Sequence, residues 1–271
     1  MTAFLNHFVF DFKTGLRNPT AMMMNYLFPL AFYAMMGGVM TKINPGYTNM
    51  LLPSMVIFAL MVPSILGLPG PLVESREAGI FRSFKINGVP ALSILTIPAL
   101  STIFASLIVS TIIALTAVPI FGGRAPASWL NLALIALLSA LVFGSLGALI
   151  GVVAKNSRSI VLYSQLIFLP SILLGGMIIP LEMLPQSVRA ISGLLPTTYA
   201  MQALLGYAYQ QNTVYNPQTC LIILAAGGLL AIGLAIYLFN WDSRNQVRRG
   251  HPLLALIALL PYIAGIILAG R

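Results

Sequence analysis

The chain has 271 residues, of which 59% are hydrophobic and 7% are charged. A soluble domain carries about 25% charged residues, so this composition excludes an ordinary soluble protein and predicts a polytopic membrane protein. The formal net charge of +9 does not indicate nucleic acid as a partner, because the basic residues are scattered between hydrophobic runs. The single cysteine, Cys220, cannot form an intrachain disulfide and is typical of a small apolar core residue.

The first segment, residues 2 to about 17, is predicted to be an amphipathic helix that lies in the membrane interface. Its apolar face has side chains four residues apart: Phe4, Phe8, Phe12 and Leu16. The opposite face carries Asn6, Asp11, Lys13 and Arg17. A short soluble helix packed on loops is the alternative. The segment is also too polar for the core of a signal peptide, so we expect no cleavable signal.

Six charge-free windows follow, each long enough for the ~20 residues that a helix needs to cross a bilayer. They run over residues 22–40, 51–72, 93–121, 130–154, 160–179 and 218–240. We therefore expect an all-α bundle of six spans over residues 1–240, as one membrane domain. Residues 241–271 add a basic cytoplasmic tail and a further apolar run, 252–270. That run is either a seventh, C-terminal span or a hairpin or peripheral helix broken at Pro261.

The distribution of basic residues predicts the orientation in the membrane. With the N-terminus inside, ten lysines and arginines lie in inner segments, against three in outer loops. The inner ones are Lys13, Arg17, Arg76, Arg82, Lys85, Lys155, Arg158, Arg244, Arg248 and Arg249, and the outer ones are Lys42, Arg124 and Arg189. Since cytoplasmic loops carry the excess of positive charge, we expect a multi-pass protein of the cell membrane with a cytoplasmic N-terminus.

Residues 74–90, between the second and third spans, form the densest charged segment of the chain. The segment contains Glu74, Arg76, Glu77, Arg82 and Lys85. It cannot lie in hydrocarbon, so it must project into water, on the cytoplasmic side by the count above. Because it carries both charges and aromatic side chains, it is suited to steer and anchor a cytoplasmic partner.

The outer segment between the fifth and sixth spans, residues 175–199, is apolar yet interrupted by Pro180, Pro185 and Pro196. No single straight helix fits that spacing. We expect two short helices that dip back into the outer leaflet, with Glu182 and Arg189 at the water boundary. Broken backbone at membrane depth needs shielding by protein or water, so this segment should pack against the spans.

Several kinds of chemistry are missing from the sequence. It contains no Gly-x-x-x-x-Gly-Lys-Ser/Thr phosphate loop, so we expect no ATP site in this chain. Its two histidines, His7 and His251, and its charged residues all lie outside the middles of the spans. This disfavours ion-driven carriers, metalloproteases and, despite the stretch from Gly144 to Gly147, serine proteases. We therefore expect no catalytic residue, no metal and no cofactor in this chain.

Mild polar groups lie within the spans and could line a substrate path. The candidates are Asn25, Tyr33, Ser164 and Gln165, and for each of them structural packing is the alternative. The pair Gly147 and Gly151 matches a motif of close helix packing.

Three stretches resemble the permease subunit of ABC-2 type ABC exporters. The first is Leu16-Arg-Asn-Pro19, which leads into a span with Pro29 and Gly37. The second is Glu74-x-x-Glu77-x-Gly79 followed by Gly88-x-Pro90. The third is Gly176-x-x-x-Pro180-Leu-Glu-x-x-Pro185 with Leu195-Pro-Thr-Thr-Tyr199. Their order and separation extend the resemblance to about Asn240.

The resemblance implies that residues 79–85 form a coupling helix that docks on a separate cytoplasmic ATPase. Its positions are Gly79, Ile80, Phe81, Arg82, Phe84 and Lys85, with Ile80, Phe81 and Phe84 as the docking side chains. Glu74 and Glu77, beside Arg76, would tie the end of the second span to its neighbours. The outer segment would act as a gate through Pro180, Glu182, Pro185, Pro196 and Tyr199.

The resemblance further implies two copies of the ATPase, which bind ATP and Mg, and a second permease copy, identical or paralogous, in contact with membrane lipids. The expected activity is export of a drug-like molecule, a lipid or a peptide. A membrane assembly protein without transport activity, or a channel, is the alternative from another class. The seventh apolar run departs from the family's six-span pattern.

Overall fold

The computed structural model describes residues 2–241 and 250–269 of the chain. Within these residues the regular structure is helical throughout, and six helices are long and apolar enough to cross a membrane. Spans 1 to 6 are Pro19–Ile43, Pro45–Glu77, Leu92–Phe121, Trp129–Val153, Ser157–Leu174 and Pro217–Leu238. The predicted all-α polytopic fold is therefore confirmed. The predicted basic tail, with Arg244, Arg248 and Arg249, lies outside the described residues.

Span 2 is the centre of the bundle. Nearly all of its side chains from Leu51 to Ile65 are fully buried, and spans 1, 3, 4 and 5 all contact it. Span 1 and span 5 are buried for only 22% of their most apolar window, against 89% for span 2. The exposed side chains of the outer spans are apolar, as expected of a surface in contact with lipid.

Glycines on one face of span 4 bring this helix against span 2. A Cβ atom on Gly147 would lie 1.9 Å from the carbonyl oxygen of Ser64, and one on Gly151 would meet Leu72 at 2.8 Å. Gly144 allows the same close approach to Ile103 of span 3. The sequence prediction that Gly147 and Gly151 serve helix packing is confirmed.

The N-terminal helix, Thr2–Arg17, packs on span 3. Phe8 and Phe12 place their rings 6.2 and 5.4 Å from the ring of Phe104. The packed face is rotated from the predicted one, because Asp11 is half-buried and lies beside Ser101 of span 3. Phe4 and Leu16, predicted to share the apolar face, are exposed. Placing Asp11 on the polar face was therefore wrong.

The segment between spans 5 and 6 contains two helices, Gln186–Ser192 and Pro196–Tyr209. The turn between them is held by Tyr199, whose hydroxyl donates to the carbonyl oxygens of Gly193 at 2.7 Å and Tyr262 at 3.2 Å. The second helix is almost wholly buried and ends beside the start of span 4, where the side chain of Asn131 donates to the carbonyl oxygen of Tyr207. The two helices and the turn between them, which we call the hairpin, pack against the spans, as the proline spacing predicts.

A C-terminal helix, Pro252–Leu268, runs antiparallel to span 6. Three contacts define its register: Gly250 lies against Leu238, Tyr262 against Gly227, and Gly265 against Ile223. The first part, Pro252–Leu259, is a 3-10 helix, which rises ~2.0 Å per residue rather than ~1.5 Å. The seventeen residues therefore extend about 30 Å, the thickness of a hydrocarbon core.

Candidate functional site

The charged loop between spans 2 and 3 folds as a short helix, Ile80–Ile86, which we call the loop helix. Span 2 ends at Glu77, and Gly79 reverses the chain with a φ of 74°. A left-handed residue of this kind is strained unless it is glycine. Gly79 therefore brings the loop helix back against the ends of the spans.

Arg76 joins the end of span 2 to the end of span 4. Its side chain is 7% exposed, and its guanidinium donates to the carbonyl oxygens of Val152 at 2.9 Å, Gly151 at 3.4 Å and also Ala154. The last carbonyls of a helix lack partners within the helix and carry its negative dipole end. A buried cation on these groups fixes the end of span 4 to the end of span 2.

Phe81 joins the loop helix to the end of span 6. Its ring lies 5.7 Å from that of Phe239, the residue that caps span 6, and its side chain is only 5% exposed. Phe81 is one of the side chains that we expect to dock on a partner. In this conformation its ring is instead buried inside the chain, and docking by Phe81 stays a prediction.

Phe84 joins the loop helix to the N-terminal helix. Its ring meets the His7 ring edge-on with centroids 6.1 Å apart, and its side chain is half-buried. The N-terminal helix also contacts span 3. The loop helix is therefore held at the end of span 6 by Phe81 and at the N-terminal helix by Phe84, while Arg76 fixes the adjoining end of span 2 to span 4.

The exposed side of the loop helix carries Ile80, Arg82, Lys85 and Ile86. Ile86 has 80% of its side chain exposed and Ile80 has 44%. Sequence reasoning included Ile80 but missed Ile86, which follows the last residue matched to the coupling helix. An apolar side chain in a segment too charged for hydrocarbon was the signal that could have identified it.

Within the described part of the chain, Glu74 and Glu77 make no tie from the end of span 2 to a neighbouring span. Both are exposed, and within residues 2–241 and 250–269 neither carboxylate pairs with a basic side chain. Arg76 makes the connection between spans 2 and 4 instead.

The chain matches the family model described as ABC-2 type transporter over residues 4–209. The chain belongs to this family. The match contains spans 1 to 5, the loop helix and the hairpin, and it ends before span 6. This ABC-2 permease is thus an integral membrane protein of a transport family whose members generally pair with an ABC ATPase.

Two curated proteins are similar to this permease. It is 26% identical over 196 residues to "Putative transport permease YvfS" of Bacillus subtilis (strain 168), and this alignment covers 69% of the present chain and 78% of that protein. It is 29% identical over 91 residues to "Nodulation protein J" of Neorhizobium galegae, and this alignment covers 32% of the present chain and 35% of that protein. No solved structure matches the chain.

The polar residues proposed for a substrate path make different contacts in this permease. Tyr33 is buried against span 3, where its hydroxyl lies 2.9 Å from that of Thr116. Ser164 is buried and bonds to span 2. Asn25 lies near Gly67, and Gln165 is half-buried. The contacts of Tyr33 and Ser164 favour the packing alternative.

The proposed gate residues divide into two groups. Pro196 and Tyr199 are buried in the second hairpin helix, whereas Glu182 and Pro185 are exposed and Pro180 is half-buried. Arg189 donates to the carbonyl oxygens of Glu182 and Leu184, both at 3.2 Å. The carbonyl oxygen of Met177 accepts from Ser54 of span 2 at 2.8 Å. The start of the hairpin segment is therefore fastened to the central span.

Proposed function

We propose that this chain is the membrane subunit of an ATP-driven exporter, and that the loop helix receives the movement of a separate ABC ATPase. The observation that carries the proposal is the two-sided loop helix. One side is packed on the chain through Phe81 and Phe84, and the other exposes Ile80 and Ile86. A force applied to the exposed side would reach span 6 through Phe81, and it would reach span 4 through the end of span 2, where Arg76 bonds to the last carbonyls of span 4.

The surface chemistry of the loop helix suits a protein partner. Two exposed isoleucines offer an apolar anchor, and Arg82 and Lys85 beside them offer electrostatic steering. Two ATPase copies, which would hold ATP and Mg, and two permease copies would complete the transporter. We propose an amphipathic or hydrophobic cargo, such as a drug-like molecule, a lipid or a peptide, because the spans are apolar. The spans also carry no charged ring of the kind that channels use, which disfavours a channel.

The test is co-purification with an ABC ATPase subunit from the same organism. Ile80→Asp and Ile86→Asp should reduce recovery of the ATPase at least tenfold, because each places a charge in the proposed apolar contact. Ile43→Asp is the control, because Ile43 is also largely exposed, at 71%, but lies at the end of span 1 that is far from the N-terminal helix and the loop helix. Equal recovery with all three variants would refute docking at the loop helix.

A second measurement tests the division of labour between the subunits. The purified permease should neither bind nor hydrolyse ATP, and the reconstituted complex should hydrolyse it. Hydrolysis by the permease alone would contradict the assignment of ATP to a separate subunit.

A further inference from the structure

An apolar groove of about 470 Å³ lies between spans 4 and 5, the turn of the hairpin and the C-terminal helix. Its walls include Leu149, Leu166, Pro196, Leu256 and Tyr262. Leu166 and Leu256 are largely exposed, so the groove opens to the surface of the bundle. Pockets of 300–1,000 Å³ accommodate small ligands, and this one has an almost wholly hydrocarbon lining.

A polar recess of about 230 Å³ adjoins the groove at the loop-helix side of the bundle. The two share Val153 and Pro252 as walls. The recess is lined by the charged side chains of Arg76 and Lys155 and by Asn240. Among the described residues no acidic side chain lines either space. A basic recess thus meets the end of an apolar groove.

This arrangement matches the two parts of an anionic phospholipid. Basic pockets between transmembrane helices bind anionic headgroups, and an acyl chain is flexible enough to fill a concave groove. Arg76 is engaged by the end of span 4, whereas Lys155 is exposed and its ammonium can reach a phosphate. We propose that one anionic phospholipid places an acyl chain in the groove and its phosphate at Lys155.

The concave shape favours a lipid over a second copy of this chain. A second copy could fill the groove only by inserting side chains along its whole length. The acyl chain of a lipid can enter the groove directly from the bilayer. The cation at the mouth adds charge complementarity for a phosphate. The lipid would act as a bound component of the fold, so the proposal holds whether or not the protein is an exporter.

The test is native mass spectrometry of the full-length purified chain with dioleoyl phosphatidylglycerol or dioleoyl phosphatidylcholine. We expect one phosphatidylglycerol per chain, bound at least tenfold more tightly than phosphatidylcholine. Leu256→Trp should fill the groove and reduce binding of both lipids at least fivefold. The control, Leu229→Trp, changes a leucine that is 73% exposed on span 6 and should have no effect. Equal binding by the two tryptophan variants would refute the groove as the site.

Lys155→Ala should abolish the preference for phosphatidylglycerol while binding of phosphatidylcholine is kept. Arg158→Ala, which removes a nearby exposed charge outside the recess, should keep the preference. An unchanged preference in Lys155→Ala would refute the headgroup assignment. Inorganic phosphate in excess should not displace the lipid, and complete displacement by phosphate would show that the acyl groove contributes nothing.

A cysteine variant tests the competing occupant. Cys220 is fully buried, so Leu256→Cys introduces a single accessible thiol at the groove. An interchain disulfide formed at this position in native membranes would place a second copy over the groove and overturn the proposal. A monomeric product together with lipid binding would support it.

Discussion

The hydroxyl of Ser164 in span 5 donates a hydrogen bond of 2.7 Å to the carbonyl oxygen of Ile65 in span 2. Ile65 lies in a π-helical turn, Pro63–Gly67, and Pro69 follows two residues after its end. In an α-helix the N–H of position 69 would bond to Ile65, but proline has none. Ser164 therefore gives the carbonyl oxygen of Ile65 the hydrogen-bond donor that Pro69 lacks. This contact lies inside the most buried part of the bundle.

This relationship predicts the effect of removing the hydroxyl. Ser164→Ala should destabilise the protein by about 0.6 kcal/mol and by no more than about 1.7 kcal/mol, the mean and the largest values for hydrogen bonds between transmembrane helices. The loss should be smaller in a Pro69→Ala background, because alanine restores an N–H for Ile65. Ser145→Ala is the control, since the Ser145 hydroxyl is exposed and bonds within its own helix. Denaturation in mild detergent measures the stability lost by Ser164→Ala in the wild type, by Ser164→Ala in the Pro69→Ala background, and by Ser145→Ala. An equal loss for Ser164→Ala in the two backgrounds would contradict this explanation.

A second prediction concerns the contact between spans 2 and 4. Gly147→Ala would place a Cβ atom 1.9 Å from the carbonyl oxygen of Ser64, so the helices must separate. Overpacking of this kind costs about 1–3 kcal/mol or more. Gly233→Ala is the matched control, because no atom lies within 4 Å of the added carbon. We expect a lower yield of folded protein for the first variant and an unchanged yield for the second. Equal yields would show that the spans can part at no cost.

Much of this architecture follows from sequence reasoning, for physical reasons. Water and hydrocarbon separate charged loops from apolar spans so strongly that the six spans could be placed from composition, and Gly147 and Gly151 identified a packed face. The rotation of short helices was not predictable. Phe81 and Ile86 are both apolar residues in a charged segment, and only the position of Phe239 decides that one is buried and the other exposed.

The C-terminal helix shows the same limit. Seventeen residues are marginal for a span when an α-helical rise is assumed, and the sequence does not reveal that its first half is a 3-10 helix. The role of Arg76 was also hidden, because its partners are backbone carbonyl oxygens at the end of span 4. Carbonyl groups are present in every sequence, so no residue pattern distinguishes those that accept from a distant arginine.

A third prediction concerns Arg76. Arg76→Ala removes the donors to the end of span 4 and should destabilise the protein by about 1.5–3 kcal/mol, the value for hydrogen bonds that involve a charged group. In the proposed transporter it should also reduce stimulation of the ATPase while the two subunits still bind, because the exposed side of the loop helix is unchanged. Arg158→Ala controls for the loss of a surface charge. Loss of ATPase binding in Arg76→Ala would mean that Arg76 shapes the docking surface itself.

The fourth prediction uses Asp11 as a pH probe of the N-terminal helix. Burial raises the pKa of the Asp11 carboxyl, and the hydrogen bond with Ser101 and the charge of His7 oppose this effect. The folded state therefore binds a proton more tightly than the unfolded state. The contribution of Asp11 to stability should be greatest below the unfolded-state pKa of the carboxyl, decline as the pH rises from there through the raised folded-state pKa, and stay constant above it.

Asp11→Asn removes this titration and keeps a side chain that can bond to Ser101. The variant should unfold at a higher temperature than the wild type near neutral pH, and the difference should vanish below about pH 3.9, where the carboxyl is protonated in the unfolded state as well. Thermal unfolding in detergent from about pH 3 to about pH 8 measures the difference, with Glu77→Gln as a control for the loss of an exposed carboxylate. If Asp11→Asn were less stable than the wild type near neutral pH, the charged carboxylate would stabilise the contact with span 3. The cost of burying it would then be smaller than the gain from Ser101 and His7.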